Sequence, residues 1–295
     1  MVKEVNPKIH VNERDYPVTD HHCDDPEKAK LIKKLAVMIT DNIPRKLAGF
    51  KENHMDFWIL DRLLTKDEIK FMLSFKKRRV GYTTAELAKM NNMSVEDTQK
   101  VVDHLIWIGI LEQNRDNADQ HIQYWVPKWV VGSGEYMVEH KTLPDEHPEV
   151  ATMFNLAPQE PLEFAAKLVP PGGAGIGMHV IPVEKAIPVE SQSVSVEHLS
   201  NWLNKYDKFC TMVCACRKAQ RIRGEGVGDI EGQMCIGVGD IAEFLVETGK
   251  DAHYVTREQV MEIIERAERK GYVHQITNLD GPNRIVGICN CSPGS

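Results

Sequence analysis

The hydrophobic pattern in the first 140 residues is mostly helical. Leu31, Leu35, Met38 and Ile39 recur at helical spacing, which predicts one helix that ends before Pro44. Three further helix starts follow, because a Ser or Thr stands three residues before an acidic residue at three places. These pairs are Thr65 with Glu68, Thr83 with Glu86, and Ser94 with Asp97.

A β-hairpin is predicted after the third of these helices. Gly109 ends the helix, the polar run QNRDNADQ forms a turn, and HIQYWVPKW forms a returning strand. Three helices followed by a hairpin resemble a winged helix-turn-helix domain, whose third helix enters the DNA major groove. Here that helix carries Glu96, Asp97 and Asp103 against Lys100, so we expect a docking or scaffolding module.

The remaining sequence changes character twice. Residues 141–195 are rich in Pro and Gly and predict a connector with one short strand at MHVIPV; their glycines do not form a dinucleotide-binding fingerprint. Residues 196–295 predict a helix capped by Ser195, a helix at IAEFLVETG, a helix begun by the Thr256–Gln259 capping box, and a closing strand at RIVGICNC.

The predicted fold class is therefore α+β, mainly helical. We expect a helical N-terminal extension over residues 1–60 and a winged-helix-like domain over residues 61–140, which could also pair two copies of the chain. The connector over residues 141–195 leads to a helical cysteine-rich domain over residues 196–295.

Composition and charge narrow the classes of function. The 295 residues carry 36 Lys and Arg against 43 Asp and Glu, a formal net charge of −7, so a nucleic-acid partner is disfavoured. No apolar run is long enough to cross a membrane, and the N-terminus does not have a secretion signal's apolar core. We expect a cytoplasmic protein with no membrane partner.

The cysteines carry the chemical signal. Six of the seven lie in the last third, namely Cys210, Cys214, Cys216, Cys235, Cys289 and Cys291. Structural disulfides are rare in a reducing compartment, so metal binding is the better explanation of this clustering. Zinc sites prefer pairs two to four residues apart, whereas one iron–sulfur cluster can take thiolates that are closer in sequence. Spacing alone leaves zinc and iron–sulfur open.

The charges that follow Cys216 bear on this choice. Arg217, Lys218, Arg221 and Arg223 form a basic segment, which we interpret either as a solvated loop or as compensation for an anionic cluster. In the second case Arg217 would donate a hydrogen bond to the cluster.

The last part of the chain resembles a known family. The segments CACR at 214–217, CIGVG at 235–239, TREQVMEIIERAERKGYVHQ and ICNC at 288–291 are similar to the iron–sulfur segment of ferredoxin-type proteins from anaerobic bacteria and archaea. The likeness covers about residues 160–291. Some members of that family are fused to flavin-dependent NAD(P)H oxidoreductases.

The resemblance implies a [4Fe-4S] cluster that transfers electrons as part of an oxidoreductase. We expect Cys214, Cys216 and Cys235 to be ligands with Cys210 as the fourth, and Cys289 and Cys291 to be alternatives to Cys210 or the start of a second centre. FAD and NAD(P)H would belong to a flavoprotein or ferredoxin partner, or to a domain beyond residue 295, because the family's further cysteines are absent here. No catalytic residue is expected within this chain.

Two other functions fit parts of the sequence. A redox- or iron-sensing transcription regulator would explain the domain order, and a zinc-stapled interaction module needs only the thiols. Outside the cysteine-rich domain, we interpret His21, His22 and Cys23 as a disordered terminal stretch, with a metal site that includes Asp24 and Asp25 as the alternative. His274 is expected to pack in the core, with a place beside the cluster as the alternative.

Overall fold

A computed structural model describes residues 8–11, 14–17, 21–40, 42–158, 163–164, 167, 178–181, 199–224, 233–277 and 284–292. The chain divides into two compact units. Unit one comprises Met1–Pro170 with Ile222–Gly224, and unit two comprises Pro171–Arg221 with Glu225–Ser295. The division therefore falls inside the segment that the sequence assigns to a connector.

Unit one is built mainly from short helices. Its helices are α1 (Pro26–Ile39), α2 (Ile43–Ala48), α3 (Met55–Leu63), α4 (Lys66–Met72), α5 (Thr84–Asn91), α6 (Val95–Ile108), α7 (Gly134–Glu139), α8 (Leu143–Glu146) and α9 (Glu149–Leu156). Its strands form two antiparallel pairs, β1 (Lys8–Val11) with β2 (Arg14–Pro17), and β3 (Glu112–Asn114) with β4 (Gln123–Trp125).

The predicted helix starts are confirmed. Thr65 and Thr83 make complete capping boxes at the starts of α4 and α5, and the Ser94 hydroxyl accepts from the Asp97 amide at the start of α6. Gly109 ends α6 with φ at 98°, a conformation that glycine adopts without strain. The order of three capped helices and a hairpin is present, whereas α2, α3 and α7 to α9 were not predicted.

The interpretation of His21, His22 and Cys23 as disordered is wrong, because a polar network holds all three. Asp61, on α3, lies 2.9 Å from His21 Nε2 through Oδ2 and 2.8 Å from Lys28 Nζ through Oδ1. The Cys23 thiol donates to the same carboxylate at 3.4 Å, and the Cys23 amide donates to Glu52. Burial alone would raise the pKa of Asp61, but the His21 and Lys28 contacts outweigh it and lower that pKa to about 2.

Replacing Asp61 should therefore make the free energy of unfolding of unit one less dependent on pH in the acid range. Because folding lowers the carboxyl pKa, its stabilisation is present above the unfolded pKa of 3.8 and is lost as the pH falls toward 2. We expect Asp61→Asn to lower the free energy of unfolding by about 2 kcal/mol at neutral pH. The difference from the parent should shrink as the pH falls from about 5 to about 2 in urea denaturation series. Asp67→Asn is the control, since this exposed carboxylate lies 3.3 Å from Lys70 in a surface ion pair; an equal loss in both variants would contradict the assignment.

Unit two is centred on a six-stranded antiparallel sheet with the order β5-β9-β10-β7-β6-β8. These strands are β5 (Met178–Ile181), β6 (Phe209–Met212), β7 (Cys235–Val238), β8 (Ala252–Val255), β9 (Val273–Thr277) and β10 (Gly287–Cys291). The helices described in this unit are α10 (Leu199–Leu203), α11 (Ala215–Ile222), α12 (Asp240–Glu247) and α13 (Arg257–Arg269).

The fold class α+β, mainly helical, is confirmed for the chain as a whole. The strand at MHVIPV, the helix at IAEFLVETG, the capping box of Thr256 and the closing strand are all present. The prediction of a helical cysteine-rich domain needs correction, because β6 to β9 make this unit a sheet with helices packed on it. The predicted Ser195 cap and the glycines at 172–177 lie outside the described residues.

Candidate thiol site

The register of the sheet in unit two brings together cysteines that are distant in the sequence. Opposite residues of antiparallel strands share a face, and so do alternate residues of one strand. Cys210 pairs with Gly237, which also pairs with Gly287, and each of the last two is two residues from a cysteine. Cys235, Cys289, Cys291 and Cys210 consequently lie on the same face.

The other face of the sheet forms the hydrophobic core of unit two. Phe209, Ile236, Val238, Ile276 and Ile288 alternate with the cysteine-face positions and pack with residues of α10 and α13. A shift of any one of these strands by one residue would exchange the two faces of that strand. Burial of this apolar face therefore fixes the side on which the thiols stand.

Cys214 and Cys216 reach the same region from the start of α11. The backbone carbonyl of Cys214 accepts the Lys218 amide, so Cys214 is the residue that precedes the first turn. Its sulfur accepts the Arg217 amide, as a capping side chain does. Cys216 lies inside that first turn and is the exposed member of the set.

Five of these sulfurs form a row, by which we mean the order of the hydrogen-bonding contacts that shift their pKa values. The Cys216 and Cys235 thiols donate to Cys214, Cys235 also shares its proton with Cys289, and Cys289 donates to Cys291. Three separate segments of the chain supply these five residues. The structure thus brings together five of the six cysteines that the sequence singles out.

The row has thiolate character at two positions. Donation from Cys216 and Cys235, the Arg217 amide and the Arg217 charge together hold the pKa of Cys214 well below its ordinary range despite burial. Donation from Cys289 and the charge of Arg217 lower the pKa of Cys291, although burial and the neighbouring sulfurs oppose this. Donation to Cys214, then donation to Cys289 and burial, raises the pKa of Cys235 well above normal.

Cys289 differs from its neighbours in the row. Accepting from Cys235 lowers its pKa, but donation to Cys291 and burial outweigh that effect and raise it well above the ordinary value. Cys214 and Cys291 therefore have lowered pKa values, whereas Cys235 and Cys289, which lie between them in the row, have raised ones.

Arg217 provides the positive charge at this site. Its side chain is buried, and its guanidinium donates to the backbone carbonyl of Asn290 at 2.7 Å and lies 5.0 Å from the centre of the Tyr272 ring. The adjacent Lys218 is also buried. The interpretation of this segment as a solvated loop is wrong for these two residues, because they belong to α11.

Asn290 fixes β10 between Cys289 and Cys291. Its side chain points to the opposite face, donates to the backbone carbonyl of Met234 and lies 2.6 Å from His274 Nδ1. His274 is buried, and its Nε2 lies 3.5 Å from Glu268. The expected packing role of His274 is confirmed. Asn290 positions β10, a role that the sequence did not predict.

Cys210 is fully buried on the cysteine face, beneath α12. A Cβ atom on Gly237 would lie 2.8 Å from Cys210 Sγ and 3.3 Å from a methyl of Leu245. Glycine at position 237 therefore allows α12 and the Cys210 sulfur to approach the strand closely. Cys210 is packed against this glycine.

The chemistry available to these residues is soft-metal or thiol chemistry. Thiolate is the form that binds metals, and the five sulfurs exceed the four that one zinc ion or one cubane cluster needs. Within the described residues, no group of three or more His, Cys, Asp or Glu side chains is already arranged around one point to hold a metal ion. Thiolates bind both zinc and iron–sulfur clusters, so the donor set by itself leaves both open.

Comparisons with known proteins do not assign this chain to a family. No protein-family model, no curated protein and no solved structure matches this chain. Among the described residues, no helix has the length and apolar character needed to cross a membrane.

The thiolate character of the row is measurable in reduced, metal-free protein. We expect thiolate ultraviolet absorbance to persist at about pH 6, well below the pKa of about 8.5 of an ordinary thiol, because hydrogen bonds from neighbouring thiols hold the pKa of Cys214 well below its ordinary range. Cys214→Ser should remove much of this absorbance. Cys23→Ser is the matched control, since burial raises the pKa of Cys23. A parent protein that has no thiolate absorbance below about pH 8 would contradict this description.

Proposed function

We propose that unit two binds an iron–sulfur cluster, of the [4Fe-4S] type, and serves as an electron-transfer segment of a larger oxidoreductase. The observation that carries the proposal is the row of five thiols supplied by α11, β7 and β10. Such a cluster accepts and releases single electrons. Its flavin and nicotinamide partners would belong to another protein or domain.

The thiol row contains more ligands than a cubane requires. Cys214, Cys235 and Cys289 occupy the centre of the row, and Cys216 and Cys291 occupy its ends. We assign the three central residues as ligands and one end residue as the fourth. Cys210 lies on the same face, and the experiment below decides whether it replaces an end residue.

The charges around the row support an anionic ligand. Four thiolates bound to iron and sulfide leave a net negative charge, which a protein compensates with nearby cations and hydrogen bonds. Arg217 is buried and lowers the pKa values of both Cys214 and Cys291, so its charge acts on one central and one end residue of the row. A solvated cation would be screened and would do this far less well.

The alternative functions have less support. A DNA-binding regulator would use α6, but Glu96, Asp97 and Asp103 are exposed there, and Lys100 Nζ is 2.9 Å from the Glu96 carboxylate. A structural zinc site would use four of the same thiols and would need no redox partner. Zinc remains the direct competitor in the experiment that follows.

Substitution of each cysteine by serine tests the proposal. After anaerobic purification, Cys214→Ser, Cys235→Ser and Cys289→Ser should each lose most of the iron and sulfide and the electron paramagnetic resonance signal that dithionite produces. One of Cys210→Ser, Cys216→Ser and Cys291→Ser should share this loss, and the others should retain about the parental iron content.

Cys23→Ser is the control, because Cys23 lies in unit one within the Asp61 network. Its iron and sulfide content should equal that of the parent. The proposal would be refuted if all three single variants at the central cysteines retained their iron, or if the parent contained zinc in place of iron and no sulfide.

A further inference from the structure

A groove of about 700 Å³ opens on the apolar side of the sheet in unit two, opposite the thiol row. Thr211 and Met234 contribute to it from the sheet region, and Val255 contributes from β8. One side of α13 supplies much of the wall, including Gln259, Ile263 and Arg266. The volume is in the range of sites that hold a small organic molecule.

The charges of the groove are mostly positive. Arg266, Arg269 and Lys270 line it from the end of α13, whereas Glu262 is the carboxylate among the lining residues. An Arg266 nitrogen donates to the carbonyl of Gln233, another lining residue, at 3.4 Å, and Arg269 lies 3.6 Å from Glu265, which is not among the lining residues. Arginine and lysine are the usual ligands of phosphate groups.

The cations at the end of α13 have a simpler explanation, which covers only part of the observation. Positive side chains in the last turn of a helix stabilise it by interacting with its dipole. That effect does not require a concave surface, uncharged donors or apolar residues beside the cations. Here the neutral Thr211, Gln233 and Gln259 and the apolar Met234 and Ile263 line the same groove.

We propose that this groove binds a phosphorylated organic molecule of about nucleotide size. Arg266, Arg269 and Lys270 would hold the phosphate, and Met234, Val255 and Ile263 would pack against the apolar part of the ligand. His253 and Gln259 also line the groove and carry hydrogen-bonding groups. The inference stands independently of any metal bound by the thiol row.

The groove is also structurally joined to the thiol row. Met234 precedes Cys235 in the chain, and the Thr211 hydroxyl donates to the Cys235 backbone carbonyl at 3.3 Å. A ligand in the groove therefore lies on the opposite side of the strand that carries a central thiol. Through this strand, ligand binding in the groove would affect the thiol site on the other face of the sheet.

Titration calorimetry on the full chain tests the proposal, with inorganic pyrophosphate, AMP and adenosine as the probes. We expect pyrophosphate and AMP to bind in the millimolar range or more tightly, and adenosine at least about tenfold more weakly than AMP, because a hydrogen bond to a charged group is worth about a factor of ten. Binding should weaken as the salt concentration rises. If neither pyrophosphate nor AMP binds below about 10 mM, the proposal is wrong.

Three variants separate the groove from the general charge of the protein. Arg266→Gln and Lys270→Gln should each weaken AMP binding about tenfold, and Glu262→Gln should strengthen it, because it removes a carboxylate from the groove. Lys205→Gln is the control, since it removes the same charge from an exposed residue of unit two outside the groove. Equal weakening by Lys205→Gln, or no weakening by the two groove variants with native circular dichroism, would overturn the assignment.

Discussion

The strict alternation of side chains along an antiparallel strand is the constraint on which unit two depends. Ile236 and Ile288 must face the core, so Cys235 and Cys289 must face the other way. Burial of the apolar face thus both stabilises the sheet and assembles the thiols. The register of β7 and β10 that buries the two isoleucines also places the two cysteines side by side. No further interaction is needed to bring these thiols together.

Charge compensation is the second requirement of this arrangement. Moving a thiolate out of water is costly unless hydrogen bonds and an opposite charge offset the loss of hydration. At Cys214 the offset comes from neighbouring thiols, the first turn of α11 and Arg217. Arg217 is itself held by the Asn290 carbonyl, and Asn290 lies between two cysteines of the row. The strand that carries Cys289 and Cys291 therefore also positions the compensating charge.

Local signals in the sequence predicted much of unit one and less of unit two. Thr65, Thr83 and Thr256 specify helix starts through contacts only three residues away, which is why the capping boxes were found. The strand Cys235–Val238 has four residues, two of which are Cys and Gly, and its pairing partners are tens of residues distant. Such a strand is specified by long-range pairing, which periodicity in one sequence cannot reveal.

The candidate site shows the same division. The clustering of cysteines in the last third identified the thiols, but the order of contacts among them depends on the sheet. The expected fourth ligand, Cys210, lies on β6 with its sulfur under α12 and against Gly237, a position that sequence spacing does not reveal. The burial of Arg217 had no sequence signal beyond its position after Cys216, since a basic segment ordinarily lies in solvent.

The metal content of the parent protein tests the central claim most directly. Iron, sulfide and zinc should be quantified on one anaerobically purified sample, together with its electron paramagnetic resonance spectrum after dithionite reduction. About four irons and four sulfides per chain with a reducible signal are the predicted result. Stoichiometric zinc without sulfide, or a chain that binds no metal under these conditions, would contradict the account.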